Sequence, residues 1–528
     1  MNSLTLSDFF QETAREDRGC LFVHASTNEE RWISYLDMYR QACDRSRQLC
    51  SFTIRKRFIA AIWMEQSSEW LVAFMSIVLA GGIPIPLHQS AKAEDIVDLI
   101  ESVEAEVVML SSPQALKLNH VLEDKPHGKS ALGNVLLIDG ETGEMLHSPM
   151  RTSTLDRIRR YIPPSETAVI FMSSGSTGSP KGIMLSEKNL LSNLHAIQDY
   201  LQIAESDRVW LSKSLGYSST ITGEWFLSLY TGAHLYMSAG SFHPLYSVKF
   251  IRDYGITFMC AVPSMLIPLV KSTKWKPSDL CDMKKMIIVG AQMPAAMLIQ
   301  LIERLPWVQI MPGYGLTEAS PRVSYLPYQA IRNKANSAGI PVSGVQIGIH
   351  QNGELQKSGT IGEIVVNGPN IMLGYYNDPL KTAQVLSEFG LRTGDMGYLD
   401  DEGYIYITGR LDNALNVAGH MLYPETIEKV IYSHPDVQEA AIAGVPDEIW
   451  GCLPIAYVVP NNPFSNEKDF AQELFSYCWK HLTSFQQPAK VVIVQSLPKR
   501  DNGKLDRKQL QSIVEEMEHA SNHGRARH

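Results

Sequence analysis

The sequence lacks any cysteine spacing that would indicate a disulfide framework or a metal site. Seven cysteines are scattered over 528 residues, and no two of them form a CxxC pair. An odd, scattered set is typical of reduced thiols rather than of a disulfide framework or a zinc site. We therefore expect mostly buried free thiols, no zinc centre and a cytoplasmic location.

An excess of positive charge is missing as well. The chain has 47 lysine and arginine residues against 56 aspartate and glutamate residues, which gives a formal net charge of −9. Proteins that bind nucleic acid present a basic face. The charge balance therefore argues against a nucleic-acid partner, and it fits poorly with a membrane-surface enzyme.

Long apolar runs and targeting signals are also absent. The most apolar stretch, residues 74–87, is interrupted by glycines and prolines and is too short to span a bilayer. The first residues carry neither a basic nor an apolar signal segment, and the last three are not SKL. We expect no transmembrane segment, no secretion signal and no peroxisomal address.

Length and patterning predict an α/β protein with more than one domain. A chain of 528 residues exceeds the size of a single core. Runs of Val, Ile and Leu of strand length alternate with helical patterns through the first 330 residues. Such continuous runs are typical of buried parallel strands. The clearest of them are residues 57–64, 106–112, 134–140 and 286–293.

The pattern changes twice in the C-terminal third. Shorter, alternating strands after residue 335 indicate an antiparallel or barrel-like subdomain. Beyond residue 410 we expect a small α+β domain, in which a helix begins at Pro424 because proline suits the first helical position. The predicted boundaries are therefore 1–410 for a large domain with parallel-rich sheets and helices, and 411–528 for the small domain.

The most informative stretch is SSGSTGSPKG, residues 173–182. Glycines let a backbone approach an anion, successive N–H groups form an anion-binding nest, and a lysine adds a mobile charge. The alternatives are a Gly/Ser-rich surface turn and a P-loop ATPase. The P-loop is disfavoured because Pro180 precedes the lysine and Gly182 takes the Ser/Thr magnesium position. The predicted phosphate-binding residues are Ser174, Gly175, Ser176, Thr177, Gly178 and Lys181.

Four later segments accompany this loop. They are GYGLTE at 313–318, RTGD ending at Asp395, residues 409–428, and NGKLDR at 502–507. In this order and at these separations, the set resembles the adenylate-forming superfamily of acyl-CoA synthetases, peptide-synthetase adenylation domains and firefly luciferase. The resemblance runs from about residue 20 to about residue 515, nearly the whole chain.

The resemblance implies an enzyme that uses ATP and Mg²⁺ to convert a carboxylic acid into an acyl-adenylate and then a thioester. In that family the small C-terminal domain is mobile and rotates about a hinge, here Asp412. Lys504 matches the catalytic lysine, which is inside the active site in the adenylating pose and far from it in the thioester-forming pose. Asn416 and Gly419 match the second pose, and His420 receives no role.

The resemblance also implies the nucleotide site. Glu318 is expected to bind Mg²⁺, since a carboxylate plus phosphate oxygens suits that cation, and Thr317 is expected to donate to the α-phosphate. Asp395 is expected to accept both ribose hydroxyls. The remaining residues assigned to adenine, ribose or phosphate are Gly290, Ala291, Gln292, Gly313, Tyr314, Gly315 and Arg410.

The acid-binding segment matches residues 213–226. Amino-acid-activating relatives carry an aspartate there, whereas this chain has Ser218 and Ser219, so an α-ammonium group would be uncompensated. Glu224 is the residue that could replace the aspartate and keep an amino or β-amino acid possible. An aliphatic or aryl monocarboxylic acid fits best. The predicted acyl-pocket residues are Tyr217, Ser218, Trp225 and Met265, with Met259 beside them.

The acceptor thiol stays open between two candidates. NGKLDR resembles the carrier-loading branch, and the chain ends too soon after Lys504 to hold an attached carrier domain. We favour a separate phosphopantetheine carrier protein, with CoA as the alternative. The competing classes are a luciferase-like monooxygenase and an inactive nucleotide-binding scaffold. Against the scaffold, Lys181, Glu318, Asp395, Arg410 and Lys504 are all present.

Overall fold

The protein is described here from a computed structural model. The residues it describes are 4–24, 27, 29–52, 56–124, 135–147, 161–173, 181–239, 244–417, 420–447, 450–461, 466–483, 486–499, 505–514 and 516.

The largest sheet has nine strands and a parallel centre. Buried Val, Ile, Leu and Met side chains fill its inner strands, as expected for strands covered on both faces. Six neighbouring strands are parallel, and antiparallel strands close both edges. The order is Ile340–Pro341, Arg322–Tyr325, Gln309–Gly315, Lys285–Ile288, Phe258–Ala261, Arg208–Leu211, His234–Ala239, Gly19–His24 and Glu30–Ser34.

A second sheet has five strands, the first four of them parallel. Three of its strands fall in runs that the sequence predicts as buried. The order is Ile83–Pro86, Ile59–Trp63, Val107–Leu110, Leu136–Asp139 and Met145–His147.

Two antiparallel sheets complete the large N-terminal domain. A three-stranded sheet has the order Gly374–Tyr375, Lys181–Ser186 and Thr167–Ser173. A six-stranded sheet confirms the alternating pattern after residue 335. It contains Glu354–Leu355, Gln346–Gln351, Gly362–Asn367, Gly390–Leu399, Leu386–Ser387 and Ile405–Arg410.

Helices cover these sheets, and their starts follow from local chemistry. Ser186 caps one helix: its hydroxyl accepts from the Asn189 N–H at 3.1 Å, and the Asn189 side chain accepts from the Ser186 N–H at 2.8 Å. The α-helices are Leu6–Glu12, Tyr35–Phe52, Ser68–Leu79, Ala93–Ser102, Ser112–Asp124, Glu187–Leu201, Ser218–Thr220, Leu227–Thr231, Pro244–Tyr254, Pro263–Lys271, Ala295–Arg304, Ile331–Lys334 and Pro379–Val385. A π-helix spans Ile221–Phe226, and short 3₁₀ turns span Pro277–Leu280, Thr317–Ala319, Tyr328–Ala330 and Leu411–Asn413.

The C-terminal part is a smaller α+β unit with its own core. Pro424 occupies the first helical position, as the sequence predicts. Buried side chains from Val417 to Val514 form two clusters that are separate from those of the N-terminal domain. The elements are strands Leu415–Val417, His420–Leu422, Val437–Asp447, Gly451–Pro460 and Lys490–Ile493 and helices Pro424–Tyr432 and Glu467–His481.

Two expectations from the sequence concern the state of the cysteines and a transmembrane segment. None of the seven cysteines is paired; three are buried, two half-buried and two exposed. No helix in the described part of the chain is long and apolar enough to cross a membrane.

Candidate active site

The candidate site lies at the carboxyl ends of the parallel strands of the nine-stranded sheet. Gly290 to Gln292 follow Lys285–Ile288, and Gly313 to Gly315 end the strand Gln309–Gly315. Ser218 follows the strand Arg208–Leu211 on the same edge. Because parallel strands present their carboxyl ends together, residues far apart in sequence converge here.

The predicted phosphate loop connects two antiparallel strands. Ser173 pairs with Lys181 across Thr167–Ser173 and Lys181–Ser186. In a P-loop a helix follows the loop directly, whereas here a strand follows it and the helix begins only after Ser186. This arrangement excludes the P-loop architecture. The loop residues Ser174, Gly175, Ser176, Thr177 and Gly178 lie outside the described residues.

Lys181 is the described member of the predicted phosphate-binding set. Its Nζ lies 5.5 Å from the centre of the Tyr375 ring. Burial and the neighbouring Lys381 lower the pKa of Lys181, while Glu318 and Asp412 act to raise it. The lysine therefore lies among the residues predicted to bind magnesium and to form the hinge.

Glu318 is held by the strand that pairs with the phosphate-loop hairpin. The Tyr375 hydroxyl donates to Glu318 Oε1 at 3.0 Å, and the backbone N–H of Met372 donates to the Glu318 carbonyl at 2.9 Å. Burial and the Glu318 carboxylate raise the pKa of Tyr375, so this phenol remains a donor. Sequence reasoning did not find Tyr375, because its motif neighbours give no sign of this long-range contact.

Glu318 has the donor chemistry that magnesium prefers. No group of three His, Cys, Asp or Glu side chains within the described ranges could hold a metal by itself. A Mg²⁺ ion at Glu318 would therefore take its other ligands from phosphate oxygens and water, which is how this ion usually binds beside nucleotides. The residues present fit a cation that arrives with ATP.

Asp395 connects nucleotide motifs that lie on two different sheets. The Tyr314 hydroxyl donates to Asp395 Oδ2 at 2.6 Å, and Arg410 Nη1 donates to Asp395 Oδ1 at 3.1 Å. Asp395 and Arg410 also face each other across the strand ladder. The Thr393 hydroxyl accepts the Asp395 backbone N–H at 3.0 Å. The carboxylate is thus fixed in orientation, with Tyr314 anchored through its hydroxyl end.

Glycine is required at different positions of the nucleotide motifs for different structural reasons. A Cβ on Gly315 would lie 1.9 Å from the Pro321 carbonyl oxygen, so backbone packing requires glycine there. Gly290 has φ +87°, a conformation that glycine adopts without strain. Ala291 and Gln292 are exposed, and the Gln292 side chain donates to the Asn336 carbonyl at 2.8 Å. Their assignment to adenine stays a prediction.

The predicted acid-binding segment meets the nucleotide motif at a pair of hydroxyls. Ser218 Oγ lies 3.5 Å from Thr317 Oγ1. Ser218 is buried, and its neighbour Tyr217 is half-buried with its ring centre 5.5 Å from that of His88. The structure therefore places Ser218, with its neighbour Tyr217, beside Thr317, the residue before Glu318.

Trp225 and Met265 do not join that group. Trp225 is 0% exposed, and its ring packs in an aromatic cluster with Phe10, Trp70, Phe74 and Phe226. Met265 is buried in a different core cluster. This placement in the core does not favour the pocket roles of Trp225 and Met265, which stay predictions.

Replacing Trp225 with alanine is expected to lower the free energy of unfolding by about 3–5 kcal/mol, because it leaves a large cavity in the core. Chemical denaturation measures this loss. Tyr217→Ala is the matched control, with a smaller stability loss and a changed KM for the acid. A Trp225→Ala enzyme of unchanged stability that accepts larger acids would instead support the pocket role.

Glu224 is already paired with a cation, although its Oε2 atom has no hydrogen-bond partner among the described residues. It is 0% exposed and forms an ion pair with Lys213. Lys213 Nζ also lies 3.1 Å from Cys260 Sγ and 3.4 Å from Ser219 Oγ. Desolvation raises the pKa of Glu224, with the lysine acting against it. Burial acts to lower the pKa of Lys213, but Cys260 and Glu224 outweigh it, so that pKa is raised.

The predicted hinge lies in a short exposed turn. Asp412 belongs to the 3₁₀ turn Leu411–Asn413, between the last strand of the six-stranded sheet and the C-terminal unit. On the helix Pro424–Tyr432, Lys429 Nζ donates to the Ile407 carbonyl at 2.7 Å. Burial lowers the pKa of Lys429 to about 8. The hinge role of Asp412 and the boundary at 410/411 stay predictions.

Two residues of the predicted two-pose mechanism have no structural description. Gly419 and the catalytic candidate Lys504 lie outside the described residues. Asn416 lies on the strand Leu415–Val417, and its side chain is exposed. The roles assigned to these residues rest on the sequence.

Comparisons with known proteins identify the family of this chain. A family model for AMP-binding enzymes matches residues 10–376, and a model for the AMP-binding enzyme C-terminal domain matches residues 426–504. A 2-succinylbenzoate–CoA ligase of Bacillus cereus is 27% identical over 496 residues, which cover 93% of this chain and 95% of that protein.

Solved structures show the same fold. The o-succinylbenzoate CoA synthetase of Bacillus subtilis, with ATP and magnesium, aligns with a TM-score of 0.79 and 25% identity over 95% of this chain and 98% of that one. ATP-bound MatB of Rhodopseudomonas palustris aligns with a TM-score of 0.82 and 23% identity over 97% and 99%. The expected enzyme class, an AMP-forming acid–thiol ligase, is confirmed, and the chain belongs to the AMP-binding enzyme family.

Proposed function

We propose that this enzyme activates an aliphatic or aryl carboxylic acid with ATP and then transfers the acyl group to CoA. The first step forms the acyl-adenylate and pyrophosphate, and the second forms the acyl-CoA and AMP. The sequence favoured a carrier protein as acceptor. The relatives are named as CoA ligases, which supports CoA, the alternative, over the carrier protein.

The observation that carries this proposal is the contact of 3.5 Å between Ser218 Oγ and Thr317 Oγ1. One residue lies in the segment assigned to the acid, and the other precedes the carboxylate assigned to magnesium. An acid held at the first and an α-phosphate held at the second would be neighbours. Proximity of this kind converts a reaction of two bound substrates into an effectively unimolecular step.

The main task of the protein residues is to offset charge. The carboxylate and the α-phosphate repel each other by about 4 kcal/mol per pair of unit charges at about 4 Å and an effective dielectric constant of about 20. In the proposed site Lys181 offsets the charge of the outer phosphates, and Lys504 bridges carboxylate and α-phosphate. Magnesium bound through Glu318 would supply further charge compensation on the phosphates.

The remaining residues hold the nucleotide in place. Asp395 accepts from the ribose hydroxyls, while Tyr314 and Arg410 keep its carboxylate from rotating. A fixed acceptor loses little freedom when the nucleotide binds, which favours a single orientation of the α-phosphate.

The acid class follows from the surroundings of Glu224. Its charge is compensated by Lys213, so an α-ammonium group would have to compete with that lysine for a single carboxylate. An α-amino acid would enter a site without a counter-charge, which is costly in a buried position. This favours aliphatic and aryl acids over amino acids.

The acceptor is tested by giving the enzyme ATP, Mg²⁺ and a panel of aliphatic, aryl, α-amino and β-amino acids. Each reaction is run with CoA and, separately, with a phosphopantetheine-loaded acyl carrier protein. We expect AMP and an acyl-CoA with an aliphatic or aryl acid. An acylated carrier without acyl-CoA would contradict the choice of acceptor, and ADP as product would contradict the reaction class.

A further inference from the structure

A buried ion pair connects the two ends of the acid segment, residues 213–226. Lys213 lies just after the strand Arg208–Leu211, and Glu224 lies 11 residues later, in the π-helix Ile221–Phe226. Their side chains are 7% and 0% exposed. Because a buried charge without its partner is costly, the two residues hold each other in place and close the segment into a loop.

The ammonium group of Lys213 has three neighbouring acceptors, as many as it has donors. Besides the Glu224 carboxylate, Cys260 Sγ lies 3.1 Å from Lys213 Nζ. Ser219 Oγ lies 3.4 Å from the same atom. Ser219 is inside the loop that the ion pair closes, so Lys213 holds the middle of the acid segment as well as its ends.

Ser219 is next to the residue that contacts the nucleotide motif, residues 313–318. Ser218 Oγ lies 3.5 Å from Thr317 Oγ1, and the two serines belong to one short helix. The loop before them lies against another backbone, because a Cβ on Gly216 would be only 2.9 Å from the His88 nitrogen. A displacement of Ser219 would therefore move Ser218 relative to Thr317.

A second route of buried polar groups connects the ion pair to the nucleotide motif. Cys260, which accepts from Lys213, is also a hydrogen-bond partner of the Arg322 guanidinium. Arg322 lies opposite Gly315 across the strand ladder. A Cβ on Gly313 would lie 3.3 Å from Arg322 Nη1. The lysine is thus linked to the nucleotide motif through Cys260 and Arg322, in addition to the route through Ser219.

The energetics of a buried ion pair favour a geometric role for Lys213 and Glu224. Replacement of such a pair by apolar residues of similar volume is often neutral or stabilising. An ion pair is directional, however, since the donor and the carboxylate must meet at a hydrogen-bond distance and angle. Glu224 also lies in a π-helix, a rare turn that is frequent at functional sites.

We propose that Lys213 is a positioning residue for adenylation, which together with Glu224 holds the acid segment so that Ser218 faces Thr317. This inference deepens the proposed function and rests on it. Lys213 contacts neither reactant and acts through Ser219 and Ser218. Its effect is on the rate of adenylation, because a misplacement of about 1 Å in a reacting geometry can cost about 10²-fold.

The test separates positioning from stability with two variants, assayed with the acid that gives the fastest pyrophosphate release. Lys213→Met leaves Glu224 buried and unpaired, so we expect a lower denaturation midpoint and a lower kcat. Lys213→Met/Glu224→Met removes both charges, so the midpoint should return to near the wild-type value. Its kcat should stay about 10²-fold below wild type, with KM for ATP changed by about twofold or less. A purely structural pair would regain activity together with stability.

Lys284→Met is the matched control for these variants. Lys284 forms an ion pair of 2.8 Å with the buried Asp207. Asp207 precedes the strand Arg208–Leu211, at the end opposite to Lys213. Loss of this pair should lower the denaturation midpoint and leave kcat and KM for the acid unchanged.

Ser219→Ala tests the route from the lysine to the hydroxyl pair without breaking the ion pair. It removes only the hydroxyl that lies 3.4 Å from Lys213 Nζ. We expect a kcat about 3–10-fold lower at an unchanged denaturation midpoint, the effect of losing one hydrogen bond. If the Lys213 variants do not fold, this variant decides the question alone.

The outcomes distinguish this inference from the proposed function. A folded Lys213→Met/Glu224→Met enzyme with the wild-type kcat, or a Ser219→Ala enzyme with the wild-type kcat, would overturn the positioning role and leave the proposed function standing. No acid-dependent pyrophosphate release by the wild-type enzyme with any acid would overturn the proposed function itself.

Discussion

Lys504→Ala is expected to lower the rate of acyl-adenylate formation by about 10²–10³-fold, the cost of removing one positioned group that stabilises transition-state charge. Thioester formation from supplied acyl-adenylate and CoA is expected to stay near the wild-type rate. The difference follows from the two poses implied by the family resemblance, because the lysine is inside the site only during adenylation. Single-turnover assays of the two half-reactions measure it.

Lys499→Ala is the matched control for this experiment. Lys499 precedes Lys504 in the same segment and forms an ion pair with Glu439 at 2.6 Å, on the surface of the C-terminal unit. Its loss should leave both half-reactions unchanged. An equal loss of both half-reactions in Lys504→Ala would contradict the two-pose assignment, since it would place the lysine in the site throughout.

Asp395→Ala is expected to lower kcat/KM for ATP by about 10²-fold or more. Hydrogen bonds to a charged acceptor contribute about 1.5–3 kcal/mol each, and the variant removes two such bonds to the ribose. It also leaves the Tyr314 hydroxyl and the Arg410 guanidinium without the acceptor they share. Steady-state kinetics with ATP as the varied substrate measures the effect.

Tyr314→Phe separates the ribose binding assigned to Asp395 from the support that the Tyr314 hydroxyl gives to that carboxylate. The phenylalanine keeps the ring and removes only the bond of 2.6 Å to Asp395, so we expect a loss of about 10-fold or less in kcat/KM for ATP. Thermal unfolding of both variants shows whether the fold is intact. A folded Asp395→Ala enzyme with the wild-type kcat/KM for ATP would contradict the ribose-binding role.

Local features of the fold could be predicted from the sequence. The cap at Ser186 and the proline at the start of Pro424–Tyr432 are set by residues a few positions apart. Apolar runs such as residues 57–64 became buried strands because they carry their own pattern. The strand Lys181–Ser186 was not predicted, because its pairing with Thr167–Ser173 is needed to distinguish it from an extended loop.

The contacts that shape the site could not be predicted in the same way. Lys213, Cys260 and Arg322 come together from three different parts of the chain, and no local period encodes that meeting. Trp225 looked like a pocket residue because it lies in the acid segment. The π-helix Ile221–Phe226 turns it into the core, and such a turn has no signature in residue spacing.

In the proposed function, this protein forms an acyl-adenylate before any thiol takes part. Exchange of labelled pyrophosphate into ATP, with the acid panel and without CoA, tests it most directly. We expect exchange that depends on the acid and on Mg²⁺ and that needs no CoA. Absence of exchange with every acid, from an enzyme that still binds ATP in calorimetry, would contradict it.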